Sequence, residues 1–292
     1  MFTRKFIITA IVILTTISPF KALAYNALQP KKPVIFIVGS EHCPYNCYNI
    51  PNKTGVNSNV ELVDRHDPIN SKIYENQGYV VDIVRAIFSK LGHEVKYRVM
   101  SRERAILYVK NGAADILITE EKQSQDGYII AKQAIGLTNK SFYTSVNSGW
   151  RYSGISSLER VTLGIIDGEE YSELDDYIEK NKNSKIRIQS TSGDDGININ
   201  MRKLAKQRIS AIFENQYVVD YHRKTMGLAD EVIPAGEIKE SADNKLYLAF
   251  SANKENTKQY VKQFDAGIVE LRKTGELAEI LNKYGVEDWQ RK

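Results

Sequence analysis

Alternating helices and strands predict an α/β protein in which mostly parallel sheets are covered by helices. Three observations carry this. GYVVDIVRAIFSKLGHEVKYRVMSRERAILYVKNGAADILIT, residues 78–119, runs helix, strand, helix, strand. The same order returns over residues 161–213. Each helix of the first stretch is closed by a glycine, Gly92 and Gly112, which is a helix stop signal.

In the first helix Val80, Val84, Ile87 and Leu91 recur at helical spacing. Val95, Tyr97 and Val99 then alternate as a strand does. Ile106, Leu107 and Val109 mark a second, shorter amphipathic helix, and Asp115 opens the apolar strand Ile116, Leu117, Ile118. Ligands of open α/β sheets sit beyond the carboxyl ends of the strands. The segments to watch are therefore Met100 to Arg104 and Thr119 to Gln123. An earlier strand, Val34 to Val38, leads into HCPYNC, residues 42–47.

The second round begins after a polar, turn-rich stretch from Ser148 to Ser156 that holds Trp150 and Tyr152. It runs through strand 161–166, helix 171–179, strand 185–189, helix 199–206 and the apolar run Ile209 to Phe213. Residues 105–119 and 200–215 share one layout of helix, basic turn and buried strand, a unit that occurs only twice. Strand 245–251 and helix 257–273, with Tyr260, Val261, Phe264, Ile268 and Leu271 inward, are left over, followed by a last short helix, 277–284. The expected organisation is a first lobe of residues 25–146 and 245–292 and a second of 147–244, joined by two crossings that form a hinge.

Residues 1–24 read as a secretory signal: Arg4 and Lys5, then the apolar run Phe6 to Ile17, then Ala22-Leu23-Ala24 before Tyr25. The apolar run is too short to span a bilayer. The expected location is the periplasm. The chain carries 40 basic and 36 acidic residues, a formal +4, and loses three of the basic ones with the signal. No block of like charge points to nucleic acid or an anionic membrane. The 292 residues are ample for a large core, and nothing suggests more than a monomer.

Cys43 and Cys47 are the only cysteines. In an exported protein this pair is expected as a disulfide closing a small loop. Free thiols are one alternative. A metal site would recruit His42 and His66 but finds no second ligand pair at zinc spacing. A redox pair would want one residue fewer between the cysteines. No metal or other cofactor is expected.

The chain resembles family 3 of the bacterial extracellular solute-binding proteins, the polar amino-acid-binding type. The carrying segments are GYVVDIVRAIFSKLG, NGAADILITEEK, SLERVTLGIIDGEE, KQRISAIFEN and VELRKTGELAEILNKYG, in the family's order. The resemblance implies a two-lobed periplasmic-binding-protein clamshell of type II, each lobe a mixed, mostly parallel sheet flanked by helices. It implies capture of a small polar solute between the lobes and delivery to an ABC permease of the inner membrane.

The departures from the family are informative. Val80 stands where the family usually has an acid, leaving Asp82, which also reads as a first-turn carboxylate answering the helix dipole. In amino-acid-binding members an arginine follows the strand and threonine of the first lobe and grips the ligand's carboxylate. Aligned on ITEEKQ, that position is Lys122, a point charge in place of a bidentate fork. An aspartate near the end of the second lobe's buried strand usually takes the ligand's ammonium. Here it is Asn215, with Glu214 beside it.

The expected solute contacts are Tyr45, Arg104, Thr119, Lys122, Trp150, Glu169, Ser192 and Asn215. Each has a plain alternative: a solvated loop charge for Lys122 and Arg104, core packing for Tyr45, a strand former for Thr119, and a first-turn acid for Glu169 and Glu170. Ser192 and Asp194 also suit N-caps, Trp150 would wall the cleft, and Arg102 is the weaker arginine. No catalytic residue is expected. The rival readings are a dehydratase-like enzyme on the same scaffold, with Glu169, Glu170 and Glu214 as its carboxylates, and a ligand-reporting partner of a membrane sensor.

Overall fold

The computed structural model describes residues 32–47, 77–119, 126–169, 171, 174–192, 195–238 and 244–290. The expected signal segment 1–24, the insertion 49–76, and Lys122, Glu170 and Asp194 lie outside the described residues.

The first half runs β1 (Ile35–Gly39), α1 (Tyr79–Lys90), β2 (Val95–Val99), α2 (Arg102–Lys110), β3 (Ile116–Thr119), β4 (Tyr128–Ile130), β5 (Gly136–Leu137) and β6 (Lys140–Ser145). A 3-10 turn, Ile155–Arg160, leads to β7 (Leu163–Ile166), α3 (Asp175–Asn181), β8 (Ile188–Thr191), α4 (Gly196–Ala205), β9 (Ala211–Asn215), α5 (Gln216–Thr225) and β10 (Val232–Gly236). The chain ends in β11 (Lys245–Ser251), α6 (Thr257–Thr274) and α7 (Glu276–Asn282).

These strands form two mixed sheets. The first has the order β2-β1-β3-β11-β4, with β5 also on β11; the second has the order β10-β6-β9-β7-β8. β1 is parallel to β2 and β3, and β7 is parallel to β8 and β9, while β11 and β6 pair antiparallel with their neighbours. The chain leaves the first sheet between Leu137 and Lys140 and returns between Gly236 and Lys245.

Both sheets are buried on two faces, which explains their near-continuous apolar strands. In the first, Ile35, Ile37, Ile116, Leu248 and Phe250 pack beneath α1, α6 and α7, while Val38, Leu117 and Ala249 face Ala105 and Val109 of α2. This is the period-two alternation of a strand. In the second, Phe142, Leu163, Ala211 and Phe213 face Leu158, Leu174 and Tyr177, and Tyr143, Ile212 and Val232 face Met201, Leu204 and Val219. Each fully buried aliphatic of this kind contributes about 1.5–3 kcal/mol relative to an exposed one.

The helical spacing of α1 and α6 places the expected residues inward: Val80, Val84 and Ile87 in α1, and Tyr260, Val261, Phe264, Ile268 and Leu271 in α6. Leu107 differs. It is 57% exposed, because the buried face of so short a helix is only Ala105 and Val109. The strand expected at 185–189 begins at Ile188, since Lys185 to Arg187 form a turn. β6, β10 and α5 have no counterpart in the periodicity; β10 carries Pro234, which a strand admits only at an edge, and β10 is an edge strand.

Candidate ligand-binding site

The carboxyl end of β1 passes into a tight loop, Ser40 to Cys47. His42 and Asn46 exchange backbone hydrogen bonds of 2.8 and 3.0 Å, and Cys43 and Cys47 form a disulfide. The loop is seated on the start of α1. The Tyr79 and Val80 N–H groups donate to the carbonyls of Pro44 and Tyr45, each at 3.0 Å. A helix's first N–H groups have no partner within the helix, so these donors are spent on the loop. Gly78, just before the helix, has φ 101, and a Cβ there would lie 2.3 Å from the Tyr45 carbonyl oxygen. Only glycine permits this approach.

Asp82 belongs to the same support. Its carboxylate accepts the Tyr284 hydroxyl at 2.9 Å, and that hydroxyl accepts the Gly78 N–H at 3.2 Å. The acid ties the C-terminal segment to α1.

The loop carries Tyr45 to the junction of the two sheets. The ring is 3% exposed and lies 5.3 Å from Tyr79 and 6.3 Å from Tyr217, centroid to centroid. Its hydroxyl sits between two acceptors, the Leu137 carbonyl and Asn215 Oδ1, the latter at 3.0 Å. Asn46 Nδ2 donates to the Ser40 carbonyl and to the Tyr97 hydroxyl.

Beside this loop lies a cavity of about 80 Å³. About 10–15 Å³ on this measure holds one water, so the space suits a few atoms or waters. The first sheet contributes Gly39, Ser40, His42, Tyr45, Asn46 and Thr119, with Arg102 and Ile106 from α2. The second contributes Glu169, in the turn after β7, and Asn215, which ends β9; Thr138 belongs to the crossing out of the first sheet and Leu246 to β11. The walls are therefore strand ends of both sheets, where such ligands are expected.

Of the expected contacts, Tyr45, Thr119, Glu169 and Asn215 share this cavity. Arg104, Trp150 and Ser192 do not line it. Arg102 does, and the reason is helical geometry: residues two apart on a helix point about 200° apart. Arg104 is exposed, with its guanidinium 5.9 Å from the centre of the Tyr108 ring. Trp150 packs edge-on against Phe142 at 5.7 Å and donates its indole N–H to the Ser157 carbonyl at 3.1 Å. Ser192 is exposed and donates to Asp167 at 2.5 Å. The lining residues outside the sequence-based set were within reach of the strand-end rule in part: Arg102 lies in a watched segment, and Ser40, His42 and Asn46 follow β1. Thr138 carries no sequence signal, and Leu246 is legible only as part of the expected strand 245–251.

The charges divide by wall, with Arg102 on the first and Glu169 on the second. Behind Asn215, Glu214 is 8% exposed and accepts the Asn215 N–H at 2.7 Å. Burial raises its carboxyl above the ordinary 4.5, opposed by His42. His222 is lowered to about 4, first by burial and then by His42; its Nδ1 pairs with Asn198 Oδ1 at 2.8 Å. Among the described residues no three His, Cys, Asp or Glu side chains gather as a metal site requires. The lining can hydrogen-bond and pair charge with a small molecule.

The family model described as bacterial extracellular solute-binding proteins, family 3, matches residues 63–287. No curated protein sequence matches the chain significantly. Among solved structures, one concerning glutathione import via GshT and the cystine ABC importer TcyBC of Streptococcus mutans has TM-score 0.65 at 12% identity, covering 87% of this chain and 95% of its own. The probable amino-acid ABC transporter extracellular-binding protein ytmK of Bacillus subtilis has TM-score 0.61 at 16% identity, covering 89% and 100%. A histidine kinase sensor domain similar to periplasmic binding proteins has TM-score 0.60 at 16% identity, covering 88% and 99%. Identities this low speak for the fold alone, the two-lobed periplasmic-binding-protein clamshell.

Proposed function

As the chain belongs to the bacterial extracellular solute-binding proteins, family 3, we propose that it is exported, captures a small polar solute between its two sheets and hands it to an ABC permease. The observation that carries this reading is the cavity walled by strand ends of both sheets. A solute there touches both halves at once, so its binding energy differs between open and closed arrangements. Only such a difference shifts a conformational equilibrium. Closure would turn on the segments at 137–140 and 236–245, the hinge between the lobes, and would give the permease a composite surface to recognise.

Tyr45, Arg102, Thr119, Glu169 and Asn215 are the proposed contacts, with Lys122 a further anion contact on the strength of its place after Thr119. Binding occurs without turnover in this reading.

The test is a thermal-shift screen of refolded, ligand-stripped protein (residues 25–292) against amino acids, amines, small carboxylic acids, sugars and short peptides. A solute at 100 times its Kd stabilises by about 2.7 kcal/mol. One class is expected to raise Tm, Arg102→Ala to abolish the rise, Arg104→Ala to leave it, and the solute to be recovered unchanged. No rise with any class, or a chemically altered solute, contradicts the reading.

A further inference from the structure

The side chain of Asn215 has one face already used. It is 3% exposed. Its Oδ1 accepts the Tyr217 N–H at 2.9 Å, capping α5, and meets the Tyr45 hydroxyl at 3.0 Å. Its backbone N–H donates to Glu214 at 2.7 Å. The Tyr217 N–H can only donate, so the amide oxygen must face it and the amide cannot be turned over. The Tyr45 hydroxyl's one hydrogen is shared between this oxygen and the Leu137 carbonyl, and the hydroxyl itself closes that side of the oxygen. What remains is Nδ2, which donates to no described residue, on a residue that lines the cavity. With no acceptor among the described residues, Nδ2 is left for an acceptor on a ligand.

We infer that Asn215 is a specificity-determining residue that requires an acceptor oxygen from the solute at the second wall and turns away an ammonium. The solute class is a small oxygen acid, a 2-hydroxy or 2-oxo carboxylic acid, rather than the α-amino acid of the same skeleton. Two donors would meet if an ammonium approached Nδ2, and Tyr45 and Tyr217 stand against the amide oxygen beside it. Arg102, from the other wall of the cavity, suits the acid's negative charge, and Glu169 suits a hydroxyl proton. Tyr45 acts as a positioning residue, since its hydroxyl bears on Oδ1 while reaching the Leu137 carbonyl.

This rests on the solute-binding reading above, and the experiment separates the two. Ligand-stripped wild type is titrated calorimetrically with matched pairs: 2-hydroxyglutarate and 2-oxoglutarate against L-glutamate, lactate and pyruvate against L-alanine. The better oxygen acid is expected to bind about 10-fold more tightly than its amino acid, the size of one hydrogen bond made by one ligand and missed by the other. Asn215→Asp presents an acceptor in place of Nδ2 and is expected to reverse that preference. Aspartate also caps helices well, so its Tm should hold, and Tyr45→Phe, which frees one side of Oδ1, should narrow the ratio. An amino acid bound as tightly as its partner by wild type, or a ratio unmoved in both variants, overturns the inference. So does wild type that binds no oxygen acid; binding of another class in the wider screen then leaves the solute-binding reading standing, whereas no binding of anything removes both.

Discussion

The two copies of the helix–turn–strand unit, α2 to β3 and α4 to β9, share a layout but place their buried acids at opposite ends of the strand. Asp115 precedes β3, at the end away from the cavity. Its Oδ1 pairs with Lys254 at 2.8 Å and its Oδ2 accepts the Phe36 N–H at 2.8 Å. Glu214 lies near the carboxyl end of β9, next to the cavity wall, and forms no ion pair among the described residues. A buried carboxylate that is paired and hydrogen-bonded holds a fold together. One that has a backbone N–H but no ion pair is a cost that a binding site tolerates. The same strand thus has a structural end and a functional end.

The largest way to break this contrast is Asp115→Ala. It strands Lys254 and the Phe36 N–H, and the loss in urea unfolding is expected to be about 2–3 kcal/mol, toward the lower end for a pair whose lysine is partly exposed. A loss below about 0.5 kcal/mol would place Asp115 with ordinary surface acids.

Glu214→Gln addresses the other end. Burial raises the Glu214 carboxyl above 4.5, so the folded protein keeps a proton that the unfolded chain releases. Its contribution to stability is fully present below 4.5 and is lost as pH rises through the raised value. Wild type and E214Q are expected to match near pH 4, with the variant the more stable of the two at neutral pH. A difference between them that does not change with pH contradicts the assignment.

The smallest effect concerns the turns. Gly112 follows α2 with φ 74, whereas Gln207 takes the equivalent left-handed conformation after α4 with φ 54. A side chain in that region is strained, though glycine's freedom in the unfolded chain offsets part of the gain. Gln207→Gly should stabilise by about 0.5 kcal/mol in the same unfolding assay, and a loss of stability would show that the glutamine side chain matters there.

The same contrast explains what was legible beforehand. Strong periods named the helices α1 and α6 and the strands β1, β2 and β3, because their inward residues recur at one fixed spacing. The fold class followed from their alternation. β6, Lys-Ser-Phe-Tyr-Thr-Ser, and the proline-bearing edge strand β10 do not alternate clearly, and they belong to the second sheet. At the site, the strand-end rule found Thr119 and the loop of Tyr45, while Glu169 came from the family resemblance. It did not separate Arg102 from Arg104, because that depends on which way a two-turn helix is rotated. Nor did it show what surrounds the Asn215 oxygen, since Tyr217 follows it in α5 but Tyr45 comes from the loop after β1, 170 residues away in sequence.

The central claim is that one solute engages strand ends of both sheets. The most direct measurement is hydrogen exchange with mass-spectrometric readout, with and without a saturating amount of the solute that most raises Tm. Added protection is expected together at 39–46, 117–119 and 211–217. Protection confined to one sheet, or lying elsewhere, would contradict the account.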